Sequence, residues 1–467
     1  MTRSIDLAIA EFVVNTDYNK IPQNVIEVAK KSILDILGVI LAASTLGEGC
    51  KKFVDLAKEW GARGESTILG FGIKTSQPMA AFANGSMAHA LDYEEVHDEA
   101  LVHPSAQSFP ALLAISESVG GVSGKDFITA FILGNELTTR LGLALTCNLL
   151  DKGWYPPPIL GAMGATVAAC KVLGLKEREI LSALSLILCQ TACSAEIIYS
   201  PASIIRAVRD AFPAMAAVTS AMLAKEKITG YERPITGKGG FFKIYACDNY
   251  QNSILIKDLG EKYEYADVSL KPWPSCRGTH PFIQAIISIA EEYCVRAEEV
   301  KNIHLLIGPL NRMLCEPLES KRAPRTSIDA KFSLPFTVAV ALLEKRVDLD
   351  SFLEPNLIKK EILDLAKKVT YETKLDYKPL EGGVIIKTKD GKTYSKKINI
   401  NELYGTPYNP LTRDFLLKKF LKCCKYSASK LDEESVREVI EYVLNLEKID
   451  DVRVLTSTLH KNDNPGK

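Results

Sequence analysis

Apolar residues recur at three- and four-residue spacing along nearly the whole stretch from residue 22 to about 260, in 25–44, 78–93, 125–150, 160–173, 176–198 and 211–225. That is the period a helix needs to present a face to a core, so the stretch predicts a helix bundle. Runs such as GAMGATVAACKVLG let helices approach closely, and several segments have so little polar face that they must be enclosed. The texture changes near residue 262. EVKNIHLLIG (299–308) has a strand-like apolar centre, and GVIIKTKDGKTYSKKINI (383–400) reads as a hairpin turning at Lys389-Asp390-Gly391. HPFIQAIISIAEEY and SLPFTVAVALLEK, between them, read as helices. The chain is therefore expected to be mainly α. An all-helical domain spans 1–264, a smaller α/β domain is inserted at 265–400, and helices of 401–467 pack back on the first part.

A chain of 467 residues exceeds what one core usually serves, and its 47% hydrophobic and 24% charged residues suit a globular protein. Basic and acidic residues balance at 57 each, so no global field recruits nucleic acid or an anionic membrane, and any anion site must be local. MTRSIDLAIAEF lacks the pattern of a secretory signal, and SILDILGVILAA is short and interrupted by Asp35, so the expected location is the cytoplasm. Eleven cysteines read as reduced, mostly buried thiols, the Cys189/Cys193 pair included.

Two glycine-rich stretches are not nucleotide loops. GGVSGKDF (120–127) is a residue short of a phosphate loop and reads as a turn in which Ser123 caps the next helix, and TGKGGFFK (236–243) follows no strand. Glu136 and Arg140, spaced i,i+4 in an apolar helix, read as a buried ion pair.

NGSMAHALDYEEVHDEALVHPSAQ (84–107) holds three of the six histidines among five acids. If 78–93 is helical, His89 and Asp92 share a face, which suits a carboxylate orienting an imidazole. His97 and His103 fall on the following loop, with Ser105 or Ser108 capping the next helix. A metal site, an acid-base centre and a solvated charged turn all remain open; the stretch lacks rigid metal-ligand spacing. Glu94, Glu95, Asp98 and Glu99 read as largely solvated. His103, fixed before Pro104-Ser105 at a helix entrance, is placed to meet a ligand, and helix N-termini favour anions.

Asn84, Gly85, His89, Leu91, Asp92, Tyr93 and His103-Pro104-Ser105, followed in order by GWYPPPILGAMGA, KPWPSCRGTHP, TSIDAKFSLPF and YGTPYNPLT, make the chain resemble the MmgE/PrpD family over nearly its whole length. That family includes 2-methylcitrate dehydratase, cis-aconitate decarboxylase and iminodisuccinate epimerase. The resemblance implies a helical domain built from both chain ends, an α/β lid, a homodimer, a small carboxylate substrate, and a cleft site without metal or cofactor. Lys271 and Cys276 would belong to the lid side, and Asp92 and His103 to the helical side. Departures from the family pattern are Val96, the Glu94-Glu95 pair, Tyr155, Arg206 in place of a lysine and Cys276 in place of a histidine. They point away from cis-aconitate decarboxylation and towards the epimerase branch.

The chemistry so implied is proton abstraction α to a carboxylate. Tyr155 and Lys271 would be opposed bases, and Asp92 would orient His103. Arg206, Arg209 and Arg277 would clamp carboxylates, with His97 and Cys276 also touching substrate. Epimerisation leads. Dehydration of a 2-methylcitrate-like hydroxy acid, with His103 protonating the leaving hydroxyl, is the alternative. A carboxylate-binding protein without catalysis is the second.

Overall fold

The computed structural model describes residues 4–61, 63–200 and 203–461. It is mainly α. The helix Pro156–Val172 lies against Gly124–Ala144, Pro104–Val119 and Ala211–Lys225, and Gln77–Ala88 packs on the last two. Ser123 caps Gly124–Ala144 by accepting from the Asp126 N–H at 3.1 Å, as the sequence predicts. The predicted 176–198 helix stops at Ile187 and continues as turns and a short 3-10 segment at Ala195–Ile198. Among the described residues, no helix is long and apolar enough to cross a membrane.

One feature of the helical stretch is not helical. Strands β1 (Ser66–Ile68) and β2 (Ile73–Thr75) form an antiparallel ribbon. Asn84 fixes it, accepting from the Leu69 N–H and donating to the Thr67 carbonyl, both at 2.9 Å. Neighbouring Gly85 serves a different end. A Cβ there would stand 2.7 Å from the Asp210 carbonyl oxygen, so glycine lets the Arg206–Asp210 segment lie on this helix.

The second sheet has the order β4-β3-β5-β6, with β3 (Val300–Ile307), β4 (Val369–Thr373), β5 (Gly382–Thr388) and β6 (Thr393–Ile398). β3 and β4 run parallel, joined through helices that include Leu334–Glu344, whereas β5 and β6 form the antiparallel hairpin anticipated at 383–400. His280–Glu292 packs on β5, β6 and Leu334–Glu344. One apolar cluster runs from this sheet, through Phe282, Ile303 and Phe336, to Ile33, Leu37 and Phe131 of the helical part.

The C-terminal helix Arg413–Cys424 lies along Gln23–Leu46. Between them, Lys419 pairs with Asp35 at 2.6 Å, both buried. Asp35 is thus the partner of a cation more than 380 residues away in the chain.

Glu136 and Arg140 do form a buried ion pair, at 2.6 Å. They also clasp a loop: Arg140 donates to the carbonyls of Ile254, Lys257 and Lys262, and Glu136 accepts from the Glu264 and Tyr265 N–H groups. Glu136→Ala would leave a buried guanidinium without its carboxylate and is expected to cost about 3–5 kcal/mol in urea unfolding. A loss below about 1 kcal/mol would show the clasp to be dispensable.

Candidate active site

The helix Gln77–Ala88 ends one residue before His89, so the predicted helix over 78–93 stops short and His89 and Asp92 share no helical face. Asp92 instead adopts φ +49°, a left-handed turn that reverses the chain and aims its carboxylate at Lys271. Lys271 is fully buried; its ammonium bonds the Asp92 carboxylate and donates to the Asp92 carbonyl at 3.0 Å. Its segment is held by Leu270 donating to the Gly405 carbonyl at 2.9 Å, and Gly405 has φ +89°. Lys419 steadies both sides, donating to the carbonyls of Tyr93 and Lys271 at 2.7 and 2.9 Å.

Burial opposes both charges of the Asp92–Lys271 pair, but the partners outweigh it. Lys271 is held above the usual lysine range by Asp92 and Glu94. Asp92 is held below the carboxylate range chiefly by Lys271. Lys271 is thus a stored ammonium.

The acids at 94 and 95, expected to be solvated, are fully buried. Glu94 sits between two imidazoles: one of its oxygens lies against Nδ1 of His89 and 3.0 Å from Nδ1 of His103. His103 Nδ1 also meets the Glu95 carbonyl at 3.0 Å. Both partners of that nitrogen are acceptors, so Nδ1 carries the proton and Nε2 is the face His103 offers outward. Glu94, not Asp92, orients His103. Despite burial, His89, Lys271 and His103 hold Glu94 well below the carboxylate range. Burial, then Arg209, lowers His89 against the opposing pull of Glu94.

Glu95 has another task. It accepts from the Ser105 N–H at 2.8 Å and so caps Pro104–Val119, the role expected of Ser105 or Ser108; Ser108 bonds Asn135 at 2.5 Å. Burial pushes Glu95 up to about 8.

Tyr155 begins the helix Pro156–Val172, and its hydroxyl accepts from Arg206 at 3.4 Å while the Arg209 guanidinium lies 5.0 Å from its ring centroid. Arg206 stacks at 3.4 Å on the Phe332 ring. Arg209 donates to the Arg206 carbonyl at 2.6 Å and its Nε lies 3.7 Å from the Asp210 carboxylate, but its Nη2, like Arg206 Nε, is buried without a hydrogen-bond partner. Buried guanidinium edges of this kind call for an anion. Arg209 interacts electrostatically with Tyr155 and Glu94, and Cys276 with Asp92, Arg206 and Lys271, so the two halves form one cluster. Burial, then Asp92, raises the Cys276 thiol, so it is not a thiolate.

Two residues expected to touch substrate are committed elsewhere. Arg277 bonds Asp98 at 3.1 and 3.3 Å, and its remaining nitrogen meets His280 Nδ1 at 3.1 Å, so its fork is spent on protein. Asp98, expected to be solvated, is thereby tied in. His97 accepts from the Ala100 N–H and donates to the Glu264 carbonyl, both at 3.1 Å, which occupies both ring nitrogens in a tight turn.

His89, Asp92, Glu94 and His103 bring ligand atoms within 4.8 Å of one another, a set that could hold a cation. The surrounding charge argues for an anion instead, because the Lys271 ammonium already pairs with Asp92 and Arg209 acts on His89.

Glu94 as the bridge, Lys419 with Asp35, and the buried Lys331 are parts of the site that the sequence reading misses. The one signal is Asp35, the single charge in the apolar run SILDILGVILAA.

The chain matches the MmgE/PrpD N-terminal domain over residues 7–252 and the MmgE/PrpD C-terminal domain over 273–447. It is 28% identical to a human cis-aconitate decarboxylase over 491 residues, covering 100% of this chain and 96% of that protein. To an Aspergillus terreus cis-aconitate decarboxylase it is 26% identical over 481 residues, covering 97% and 95%. To the mouse cis-aconitate decarboxylase it is 26% identical over 484 residues, covering 98% and 94%. With both domains matched in order, the chain belongs to the MmgE/PrpD family.

Proposed function

We propose that the protein is a lyase of small di- or tricarboxylates that develops negative charge on the carbon α to a carboxylate and protonates it there. The Lys271 ammonium carries this reading: sealed from water and ion-paired to Asp92, it suits a proton donor better than the base that a two-base epimerisation requires. Arg206 and Arg209 would hold the carboxylate onto which the charge spreads. In a decarboxylation, the bond to the departing carboxylate breaks and carbon dioxide leaves. The electron pair stays on the carbon next to the clamped carboxylate, and that carbon takes the Lys271 proton. In a dehydration, His103 Nε2, unprotonated while Nδ1 faces Glu94, would instead take the proton from the carbon α to the clamped carboxylate and return it to the hydroxyl as the C–O bond breaks, so that water leaves and the electron pair forms the double bond. No step needs a metal. The full-length similarity to cis-aconitate decarboxylases supports the lyase reading despite Arg206 and Cys276.

Epimerisation is the second reading, favoured by Tyr155 lying against Arg206 and Arg209. Proton NMR in D₂O with cis-aconitate, 2-methylcitrate and substituted succinates separates them. A lyase consumes substrate with loss of carbon dioxide or water. In the decarboxylation, one deuteron enters at the carbon α to the clamped carboxylate. Inverted product with an intact skeleton would replace this reading by epimerisation, and inertness towards the whole panel would defeat both.

A further inference from the structure

Cys147 and Cys247 lie far apart in the chain, but the fold sets them side by side. The segment after the helix Gly124–Ala144 pairs antiparallel with the segment after the helix Phe241–Ala246. Gln251 donates to the Ala144 carbonyl at 2.8 Å and Thr146 to the Asn249 carbonyl at 3.1 Å, with Leu145 facing Tyr250. The next residue, Cys147, thereby meets the end of the second helix. Its Sγ donates to the Ala246 carbonyl at 3.8 Å. That carbonyl belongs to the peptide joining Ala246 to Cys247, so the Cys147 sulfur lies at most about 7 Å from the Cys247 Cα.

Cys247 caps the helix Phe241–Ala246 in a left-handed turn, φ +52°, and is exposed, whereas Cys147 is partly buried. Burial, opposed by Lys152, raises the Cys147 thiol, and Cys247 adds to the rise, so the two sulfurs feel one another's charge. A disulfide asks for Cα atoms about 4.4–6.8 Å apart, close to the spacing of antiparallel neighbours. Cys294, also exposed, differs: its thiol rests on the Glu291 carbonyl in its own turn at 3.9 Å.

We propose that Cys147 and Cys247 are a thiol-oxidation site that closes into an intramolecular disulfide when the protein meets a small disulfide such as oxidised glutathione. Deprotonated Cys247, the exposed thiol, attacks one sulfur of the small disulfide; that S–S bond breaks and one small thiol leaves with the electron pair. Deprotonated Cys147 then attacks Cys247 Sγ, the Cys147–Cys247 bond forms, and the second small thiol leaves. Two protein thiols are oxidised, one small disulfide is reduced to two thiols, and the protons given up by the cysteines end on those thiols. The bridge ties the helix Phe241–Ala246 to the stretch that runs through Leu149–Lys152 into Tyr155, beside the contact of Trp154 with Tyr245 at 5.2 Å. It does not depend on the carboxylate-lyase reading.

Incubation of the folded full chain with oxidised glutathione, then alkylation of the remaining thiols and non-reducing peptide mapping, tests the assignment. The wild type is expected to give the bridged Cys147–Cys247 peptides as the main oxidised species, and dithiothreitol should restore both thiols. Cys147→Ser removes the second thiol, so Cys247 should accumulate as its glutathione adduct, while Cys247→Ser should leave Cys147 largely unmodified. Cys294 serves in all three proteins as the control for an active reagent. A lasting glutathione adduct at Cys247 in the wild type, no modification at either cysteine while Cys294 reacts, or a bridge formed only in urea would each overturn the proposal. Thermal melting identifies a misfolded variant, in which case the wild-type map alone decides.

Discussion

Asp92→Asn is expected to cut turnover roughly 10³-fold and to destabilise the protein by about 3 kcal/mol. Asparagine tolerates the left-handed φ of +49° at this position, so the backbone turn survives and the effect isolates the charge. What remains is the Lys271 ammonium, fully buried, with the residue 92 carbonyl and the more distant Glu94 as compensation. Removing one partner of a buried pair costs more than the pair contributes, because the other charge stays desolvated. The pH dependence has a definite sign. Asp92 and Glu94 are depressed in the folded state, so their stabilisation is present above the unfolded carboxylate pKa of ~4 and lost as pH falls through the folded values. Lys271 is raised, so its share is present below ~10.4 and lost as pH rises through its folded value. Wild type and variant should therefore differ most near neutrality, converge in acid, and draw together again towards base as the unpaired lysine of the variant gives up its proton. Urea titrations at pH 7 and pH 3, with steady-state kinetics, read both effects. Turnover within tenfold of wild type would remove Asp92–Lys271 from the centre of the chemistry.

The fold was largely legible because helical periodicity is a local signal: the helices around 25–44, 160–173 and 211–225 and the 383–400 hairpin all fall where their patterns place them, while the helix expected over 125–150 ends at Ala144. The short ribbon at 66–75 was not, since three-residue strands carry too little pattern and Asn84 holds them from a later helix. The site divides in the same way. Ordered motifs single out His103, Asp92 and Lys271, which the structure brings into one cluster around Glu94. Glu94 and Glu95 were misread because a run of acids looks solvated along the sequence, and only the fold brings His89, His103 and the Ser105 N–H onto them. Arg277 was misread for the converse reason. An arginine near a site looks like a ligand clamp until Asp98, 179 residues earlier, is seen to fill its fork. Lys331 carried no signal of its own, since a lysine's burial depends on what packs over it.

Lys331→Met is expected to stabilise the protein at pH 7 by about 3 kcal/mol, the reverse of what loss of a polar contact usually does. Lys331 is 2% exposed, its ammonium donates to Ser327 at 2.9 Å, and it lies 4.3 Å from the Phe352 ring centroid. Burial pushes it down to about 7, with Asp92 and Glu48 pulling only weakly the other way. Its folded pKa lies below its unfolded one, so near neutrality the unfolded chain binds a proton the folded chain tends to release. The penalty is full below pH ~7 and fades towards ~10.4, where both states are neutral. Each unit of that shift costs about 1.4 kcal/mol, and losing the Ser327 bond and the ring contact returns part of the gain. Methionine offers an unbranched, flexible side chain without a charge. The gain in urea midpoint should be largest at or below neutrality and nearly absent at pH 10. Comparing the two proteins at each pH cancels the shared loss of Lys271 in base. A variant less stable than wild type at pH 7, or one whose advantage does not change with pH, would show that Lys331 is charged and well paired in the folded protein.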